Sequence, residues 1–225
     1  MIATIPSTVV SYEVSAPVVS STTAPLTPVL AAAEPPAETL ILEAESKSET
    51  REDKAVSASL YHDVPFYSQF TDITPASWRK VGCGIASTAM LIDFYSSEVV
   101  DVDVLLQQGI AANAFLSDAG WTHQGLINLT KQFGLNGASV SMSHLTMEAA
   151  FAALETVVSE GPVMVSVHYT FQPTNPIPHL AVITGIDDTR VYYNDPAEVK
   201  GEGNISIAQF KSAWKKRYIE IRPVL

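Results

Sequence analysis

Cys83 is the only cysteine among the 225 residues of the sequence. A lone thiol cannot form an internal disulfide bond and cannot by itself build a structural zinc site. The roles that remain are an ordinary buried side chain or a nucleophile. The sequence also lacks a glycine-rich phosphate loop, a His-Glu-x-x-His motif and a calcium-binding loop. It therefore gives no support for nucleotide or metal chemistry, and we expect no cofactor and no metal ion.

The first quarter of the chain lacks the residues that build a folded core. Residues 1–57 contain no glycine, tryptophan or phenylalanine, and Tyr12 is their only tyrosine. Ser, Thr, Ala, Val, Pro and Glu dominate this segment instead. This composition predicts a disordered or semi-extended acidic tail or linker. Residues 58–225 have the usual size of one domain, and we expect a single folded domain there.

Positive charge is scarce. The formal net charge is −11, with 13 basic and 24 acidic side chains. A surface of this sign repels phosphate backbones, so we expect no nucleic-acid partner. The one basic cluster, Lys215-Lys216-Arg217, is interpreted as a solvated helix end.

Long apolar runs are also missing. No segment has the eighteen or so uninterrupted apolar residues that a membrane span needs, and we expect none. The first basic residue is Lys47, so the N-terminus has no positive region of a secretory signal. As written, the sequence predicts a soluble cytoplasmic chain, and an extracytoplasmic location stays open if the true start lies upstream. The oligomeric state is not indicated.

The periodicity of the domain predicts helices first and antiparallel strands later, which is an α+β fold. An extended stretch is predicted at 64–70. Helices are predicted at 83–96, 102–112, 122–133, 146–159 and 207–214. Strands are predicted at 162–168, 180–186, 190–194 and 217–222, and the first two of them are apolar on both faces, as expected of central strands.

A turn at Asp187-Asp188-Thr189 joins two of these strands. In a hairpin centred on that turn, His179 stands directly opposite Asp195, with Cβ atoms about 4.5 to 5.5 Å apart. A carboxylate at this distance can accept a proton from an imidazole and orient it. The pair predicts half of a nucleophilic triad.

Cys83 supplies the other half, because it begins a helix. Unpaired N–H groups and the helix dipole at that end favour a thiolate, and an adjacent imidazolium favours it further. The glycines on both sides are interpreted as room for an acyl group. Gln69, on the preceding extended segment, is the best-placed amide to stabilise an oxyanion, together with the backbone N–H of Cys83.

Several other residues are alternatives. Asn194 is a second candidate to orient the histidine, but strand alternation sends it to the opposite face from Asp195. His168 is a rival base. Trp78 and Trp121 are predicted to form core or a cleft wall, and His123 is predicted to be a surface or structural residue.

Four motifs, in this order, resemble those of the bacteriocin-leader (double-glycine) processing peptidases and their free-standing bacterial relatives. The motifs are Val64-Pro65-Phe66-Tyr67-Ser68-Gln69, Gly82-Cys83-Gly84-Ile85-Ala86-Ser87, His179-Leu180-Ala181-Val182-Ile183-Thr184-Gly185 and Asn194-Asp195-Pro196. The resemblance covers about residues 62–222. It implies a papain-like cysteine peptidase fold and a peptide or protein substrate. It also implies four roles: Cys83 as nucleophile, His179 as base, Asp195 as its orienting group and Gln69 in the oxyanion hole.

The sequence thus predicts a thiol-dependent hydrolase that cleaves a peptide or isopeptide bond through a thioacyl intermediate. An acyl or amide transferase, or a cell-wall amidase, would use the same three residues and differ only in what attacks the intermediate. A catalytically silent peptide-binding domain is the alternative from another class. A binding domain has no reason to retain the cysteine, the histidine and the aspartate together.

Overall fold

The structure is a computed structural model and describes residues 60–224, apart from 97, 118 and 119. The tail predicted at 1–57 lies outside the described residues. No helix in the described part of the chain is long and apolar enough to cross a membrane.

Five α-helices follow the predicted apolar segments. They are α1 (Cys83–Tyr95), α2 (Val102–Ala111), α3 (His123–Thr130), α4 (Met147–Glu160) and α5 (Ile207–Ala213). Four of them begin at a side chain whose oxygen accepts a backbone N–H of the first turn, namely Asp101, Thr122, Thr146 and Ser206. Helix α1 is different. Gly82 precedes it and provides no side-chain cap, so the first N–H groups of α1 keep no side-chain acceptor there.

The strands form one antiparallel sheet. They are β1 (Leu60–Tyr61), β2 (Leu135–Ser141), β3 (Val163–His168), β4 (Pro178–Ile186), β5 (Arg190–Asn194), β6 (Gly203–Ser206) and β7 (Trp214–Pro223). Their order across the sheet is β2-β7-β3-β4-β5-β6, and the short β1 pairs with the far end of β4. Strands β3 and β4 are therefore central, as predicted.

Apolar clusters cover both faces of this sheet. The cluster on one face joins α1, α2 and α3 to side chains such as Met164 and Val182. The cluster on the other face joins α4 and α5 to side chains such as Val165 and Ala181. Burying one large apolar side chain completely stabilises the fold by about 1.5–3 kcal/mol, so these two clusters hold the layers together. The predicted α+β fold, with an N-terminal helical part on an antiparallel sheet, is confirmed.

Some local predictions are wrong. Strands β2 and β6 were not predicted, because they are polar outer strands whose residues are mostly exposed or half-buried. Residues 64–70 run outside the sheet as irregular backbone. The basic cluster Lys215-Lys216-Arg217 does not end a helix, since it lies at the start of β7. There, Lys216 has a positive φ of 50°, and the pairing of β7 with β3 shifts its register.

Candidate active site

Cys83 is the first residue of α1, and its side chain is partly exposed. One helical turn later, Ser87 donates its hydroxyl to the carbonyl oxygen of Leu180 at 3.3 Å. Residues four apart lie on the same side of a helix. The contact of Ser87 with β4 therefore brings Cys83 beside the start of that strand, where His179 is the second residue.

The glycines on either side of Cys83 also have a packing role. A Cβ atom on Gly82 would lie 2.3 Å from Cδ1 of the fully buried Ile73. A Cβ atom on Gly84 would lie 3.0 Å from ring atom Cδ1 of Trp121. Both positions are small because neighbouring side chains occupy the space that a larger residue would need.

His179 and Asp195 are in direct contact. The imidazole Nε2 lies 2.5 Å from Oδ1 of Asp195, and the two residues are 4% and 1% exposed. The backbone N–H of Ala197 donates to the same carboxylate oxygen at 2.8 Å. Because Nε2 faces the carboxylate, Nδ1 is the ring nitrogen that remains for the thiol.

The ionisation of Cys83 and His179 is coupled. Burial raises the pKa of the Cys83 thiol, but the hydrogen bond and positive charge of His179, with backbone hydrogen bonds from Leu180 and Gly84, lower it below its ordinary value. For His179, burial lowers the pKa, whereas hydrogen bonds and charge at Asp195 and Cys83 raise it to about 10. Both shifts favour a thiolate paired with an imidazolium.

The observed pairing of β4 with β5 differs from the hairpin register that predicted the contact between His179 and Asp195. Val182 pairs with Asn194, and the register shifts at a bulge between Ile183 and Gly185. Continued by one residue, this pairing sets Asp195 opposite Ala181, two residues from His179. Residues two apart on a strand share a face, and a diagonal pair is within reach of long side chains. The predicted contact thus forms across a diagonal.

The two alternative residues lie elsewhere. Asn194 is buried on the opposite face, where its Nδ2 donates to the carbonyl oxygen of Val64 and its Oδ1 accepts from the N–H of Glu202. His168, at the end of β3, has its Nδ1 2.9 Å from the carbonyl oxygen of Asn175. The structure brings neither of them to Cys83 as it brings His179.

Gln69 is almost completely buried, at 1% exposure. Its Nε2 donates to the carbonyl oxygen of Arg79 at 2.7 Å, and its Cβ is 3.3 Å from the position that a Cβ on Gly82 would occupy. Gln69 therefore lies directly beside the residue that precedes Cys83. An amide nitrogen carries two hydrogens, so the bond to Arg79 leaves one for a further acceptor.

A cleft of about 510 Å³ opens over Cys83 and His179. Trp121 lines it and also donates its indole N–H to the carbonyl oxygen of Val81 at 2.7 Å. His123 lines the cleft too, which its sequence surroundings did not indicate. Tyr169 is a further residue that sequence reasoning missed: its ring stands edge-on to the ring of His179 with centroids 5.0 Å apart. No sequence motif marks His123 or Tyr169, because the cleft and the contact with His179 join distant parts of the chain.

Metal-ligand chemistry has no local basis in the residues described. Within 60–224, omitting 97, 118 and 119, no group of three or more His, Cys, Asp or Glu side chains is arranged to hold a metal ion.

The fold and the family of the chain are established by comparison with known proteins. The chain resembles the structure described as a C39-like peptidase from Bacillus anthracis, with a TM-score of 0.54 and 18% identity over 72% of this chain and 96% of that one. It also resembles a double glycine motif protease from an AMS/PCAT transporter, solved in complex with the leader peptide, with a TM-score of 0.50 and 22% identity over 73% and 94%. No curated protein matches the chain.

These likenesses define the class, which is the cysteine peptidase fold of C39-like peptidases. The model of the Peptidase C39 like family matches residues 61–223, so the chain belongs to that family.

Proposed function

We propose that the protein is a thiol-dependent hydrolase that cleaves a peptide or isopeptide bond. The observation that carries the proposal is the position of His179, which lines the same cleft as Cys83 and whose Nε2 lies 2.5 Å from the Asp195 carboxylate. A nucleophile, a base and a group that orients the base are the parts that covalent catalysis needs. Membership of a peptidase family supports the choice of a peptide-type bond.

The first half of the reaction is acylation of Cys83. The thiolate sulfur attacks the carbonyl carbon of the substrate, a sulfur–carbon bond forms, and the carbonyl oxygen takes up the negative charge. When this intermediate collapses, the carbon–nitrogen bond breaks and the departing amine takes a proton from Nδ1 of His179. The acyl group then remains on Cys83 as a thioester.

The second half is hydrolysis of the thioester. His179, now neutral at Nδ1, accepts a proton from a water molecule while the water oxygen attacks the thioester carbon. The carbon–sulfur bond breaks, the acid product leaves, and the thiolate and the imidazolium are restored. Throughout, Asp195 holds Nε2 and keeps Nδ1 directed at the sulfur.

The oxyanion needs donors near Cys83. The backbone N–H of Cys83 opens a helix whose first turn has no side-chain cap, and the second hydrogen of the Gln69 amide is a side-chain candidate beside Gly82. We assign the oxyanion to these two donors. Gln69 lies behind Gly82 and does not line the cleft among the residues described, so the assignment requires its free N–H to reach past that glycine.

Labelling of the single thiol tests the proposal. Iodoacetamide is applied across a pH series, and because Cys83 is the only cysteine, total carboxymethylation reports this residue alone. We expect labelling with a midpoint below the ordinary thiol value of about 8.5, and a midpoint moved upward in His179→Ala. An ordinary midpoint that His179→Ala leaves unchanged would contradict the proposal.

Capture of the intermediate separates hydrolysis from transfer. After incubation with a p-nitrophenyl ester, mass spectrometry should find the acyl group on Cys83 in the wild type and no adduct in Cys83→Ala. Product analysis with and without an added amine then shows which acceptor attacks. Free acid as the main product supports the hydrolase, whereas amide as the main product at low amine concentration supports a transferase.

A further inference from the structure

Apart from the Cys83–His179 pair, all charged side chains among the described residues that line the cleft over Cys83 are basic. They are Lys80, Lys215 and Arg217. The domain as a whole has the opposite sign, because residues 58–225 contain ten basic and sixteen acidic side chains. No Asp or Glu lines the cleft within the described part of the chain, and Asp118 lies outside that part. Positive charge is therefore concentrated where a substrate would bind.

These three cations have no partner among the described residues. Within 60–224, leaving aside 97, 118 and 119, none of their side chains forms an ion pair or donates a hydrogen bond. By contrast, Lys211 is paired with Glu148. Like charges held together without a counterion repel one another, and they raise the local concentration of an anionic ligand.

The basic field extends to the wall of the cleft. Burial lowers the pKa of His123, and the positive charge of Arg217 lowers it further. His123 is thus neutral at neutral pH and its Nδ1 lies 2.7 Å from the hydroxyl of Ser139. Arg217 and His123 both line the cleft, so the positive charge of Arg217 lies beside this neutral imidazole.

The sheet sets the distance between two of the cations and His179, the partner of the thiol. His179 lies on β4, Lys215 and Arg217 lie on β7, and β3 is the single strand between them. Two strand spacings amount to about 10 Å, which an extended peptide covers in about three residues. Lys80 approaches from another side, since it precedes Cys83 by three residues at the end of a 3₁₀ turn.

Apolar side chains border the same cleft. Leu116 is 50% exposed and Ile177 is 54% exposed, and both line it. Large apolar side chains that are half exposed beside a groove are typical of binding surfaces. The lining therefore offers contacts for an apolar side chain as well as for an anion.

We propose that the cleft selects a peptide that carries a carboxylate within about three residues of the bond attacked by Cys83, with Lys80, Lys215 and Arg217 as the specificity-determining residues. The carboxylate belongs to a glutamate or aspartate side chain or to a free C-terminus. This inference deepens the proposed function and rests on it for the location of the scissile bond.

Binding to the full-length Cys83→Ala protein tests the proposal without any turnover. The probe is a fluorescein-labelled peptide of alternating glutamate and leucine with an amidated C-terminus, and the control peptide has glutamine in place of glutamate. We expect fluorescence anisotropy to give a Kd about tenfold lower for the glutamate peptide at about 0.01 M ionic strength, and a difference that nearly disappears at about 1 M. Equal affinities at low ionic strength, together with no preference for a free C-terminus in the glutamine peptide, would overturn the proposal.

Matched variants test which positive charges cause the preference for the glutamate peptide. Combining Lys215→Gln with Arg217→Gln, in the Cys83→Ala background, should reduce the preference for glutamate to about twofold or less. The control combines Lys131→Gln with Lys200→Gln, which removes the same charge from two exposed side chains outside the cleft lining. If the control loses the preference to the same extent, net charge rather than the cleft is responsible, and the proposal is wrong.

Two further comparisons identify the kind of carboxylate that binds and test whether another anion competes with it. The glutamine peptide with a free C-terminus is compared with its amidated form, and a preference for the free form alone assigns the site to an α-carboxylate. A single-stranded oligonucleotide is added as competitor, and displacement of the glutamate peptide at equal or lower concentration would overturn a carboxylate-selective site in favour of general anion binding.

The proposed function is tested separately by the iodoacetamide profile of the wild-type protein, because that reagent is small and uncharged. An activated thiol without a preference for either kind of carboxylate leaves the hydrolase standing and removes this inference. A preference for the glutamate peptide together with an ordinary labelling midpoint would support the anion-binding site and contradict the proposed hydrolase.

Discussion

Trp121 donates its indole N–H to the carbonyl oxygen of Val81, two residues before Cys83, at 2.7 Å. The ring itself is 6% exposed and packs against the position of Gly84. One side chain on a distant loop therefore holds the backbone on both sides of the thiol. The geometry of the candidate site depends on this contact as much as on the helix that begins at Cys83.

Trp121→Phe is expected to disturb the site and the fold together. The variant keeps most of the ring but leaves the carbonyl of Val81 without its donor, which should cost about 1–3 kcal/mol in the free energy of unfolding. Iodoacetamide should label Cys83 more slowly at neutral pH, because the helix start is no longer fixed. Urea unfolding and the labelling rate measure the two effects.

Trp214→Phe is the matched control for this experiment. Trp214 is also buried, and its indole N–H donates to the carbonyl oxygen of Arg217 at 3.1 Å. Its loss should destabilise the fold by a similar amount and leave the labelling of Cys83 unchanged. Equal slowing of labelling in both variants would mean that general loosening of the fold, and not the Val81 contact, controls the thiol.

Gly82→Ala should destabilise the fold through one identifiable contact. The added Cβ would lie 2.3 Å from Cδ1 of Ile73, the atom that Ile73→Val removes. We expect Gly82→Ala to cost about 1–3 kcal/mol and Ile73→Val about 0.5–1.5 kcal/mol. The double variant should be more stable than the sum of these costs predicts, by about 1 kcal/mol. Rescue stays partial, since the carbonyl oxygen of Trp78 also lies 3.2 Å from that Cβ.

A second double-mutant cycle controls for general effects of core substitutions. Ile92 is fully buried like Ile73 but is not among the neighbours of Gly82. Urea unfolding of Gly82→Ala with Ile92→Val should therefore give additive losses. Additive losses in the cycle with Ile73 as well would contradict the packing explanation of the glycine.

Asp195→Asn is expected to change the pH dependence of both halves of the pair. In the wild type, burial lowers the pKa of His179, but the hydrogen bonds to Asp195 and Cys83 outweigh this effect and raise the pKa to about 10. Without the carboxylate, the pKa of His179 should fall. The imidazolium then supports the thiolate less, so the pKa of Cys83 should rise.

The pH profiles show the direction of these changes. The thiolate fraction grows as pH rises through the pKa of Cys83, so the iodoacetamide midpoint should move to higher pH in Asp195→Asn. Hydrolysis of a p-nitrophenyl ester should decline at lower pH than in the wild type, because the protonated histidine is lost earlier. If neither the iodoacetamide midpoint nor the alkaline decline of hydrolysis moves in Asp195→Asn, then Asp195 neither orients His179 nor raises its pKa. The apparent pKa values in these profiles belong to the coupled pair of Cys83 and His179 and not to either residue alone, so the two profiles are compared together.

The sequence carries enough information for the helices, the central strands and the three candidate catalytic residues. Cys83 is predictable because the apolar period of its helix begins there, and His179 and Asp195 are predictable because turn residues mark the hairpin between their strands. The register is not predictable. The bulge between Ile183 and Gly185 moves the pairing, and nothing in the local sequence reports it.

The composition of the cleft could not be predicted either, because residues far apart in the sequence build it. The cluster at Lys215-Lys216-Arg217 resembles a solvated helix end when only its neighbours are considered. Its position at the start of β7, two strands from His179, follows from the strand order and not from local pattern. The pairing of β7 with both β2 and β3 joins segments that are distant in the chain.

Gln69→Ala tests the assignment of the oxyanion donor. If the free N–H of this amide stabilises the oxyanion, hydrolysis of a p-nitrophenyl ester should slow by about 10²–10³-fold. Iodoacetamide alkylation forms no oxyanion, so the labelling rate of Cys83 should stay the same. A parallel fall in both rates would instead show that Gln69 only supports the backbone at Gly82, through its bond to the carbonyl oxygen of Arg79.

Tyr169 is predicted to act as a positioning residue for His179. Its ring stands edge-on to the imidazole at a centroid distance of 5.0 Å and is held by a short 3₁₀ turn, Tyr169–Phe171. Within that turn, Thr170 has a φ of 51° and Phe171 a φ of 54°. Non-glycine residues adopt such angles at a cost, so the surrounding structure maintains this conformation. The turn keeps the aromatic ring against the histidine.

Removing this ring should give water access to the bond between His179 and Asp195. In Tyr169→Ala, water weakens the hydrogen bond to Asp195 that raises the pKa of His179, and this loss outweighs the relief from burial. We therefore expect the alkaline limb of ester hydrolysis to move to lower pH and the rate to fall roughly threefold to tenfold. Tyr169→Phe keeps the ring and should retain both the limb and the rate. If Tyr169→Phe loses as much as Tyr169→Ala, the hydroxyl rather than the ring is responsible. If the alkaline limb is the same in all three proteins while only stability falls, Tyr169 is structural and does not position the histidine.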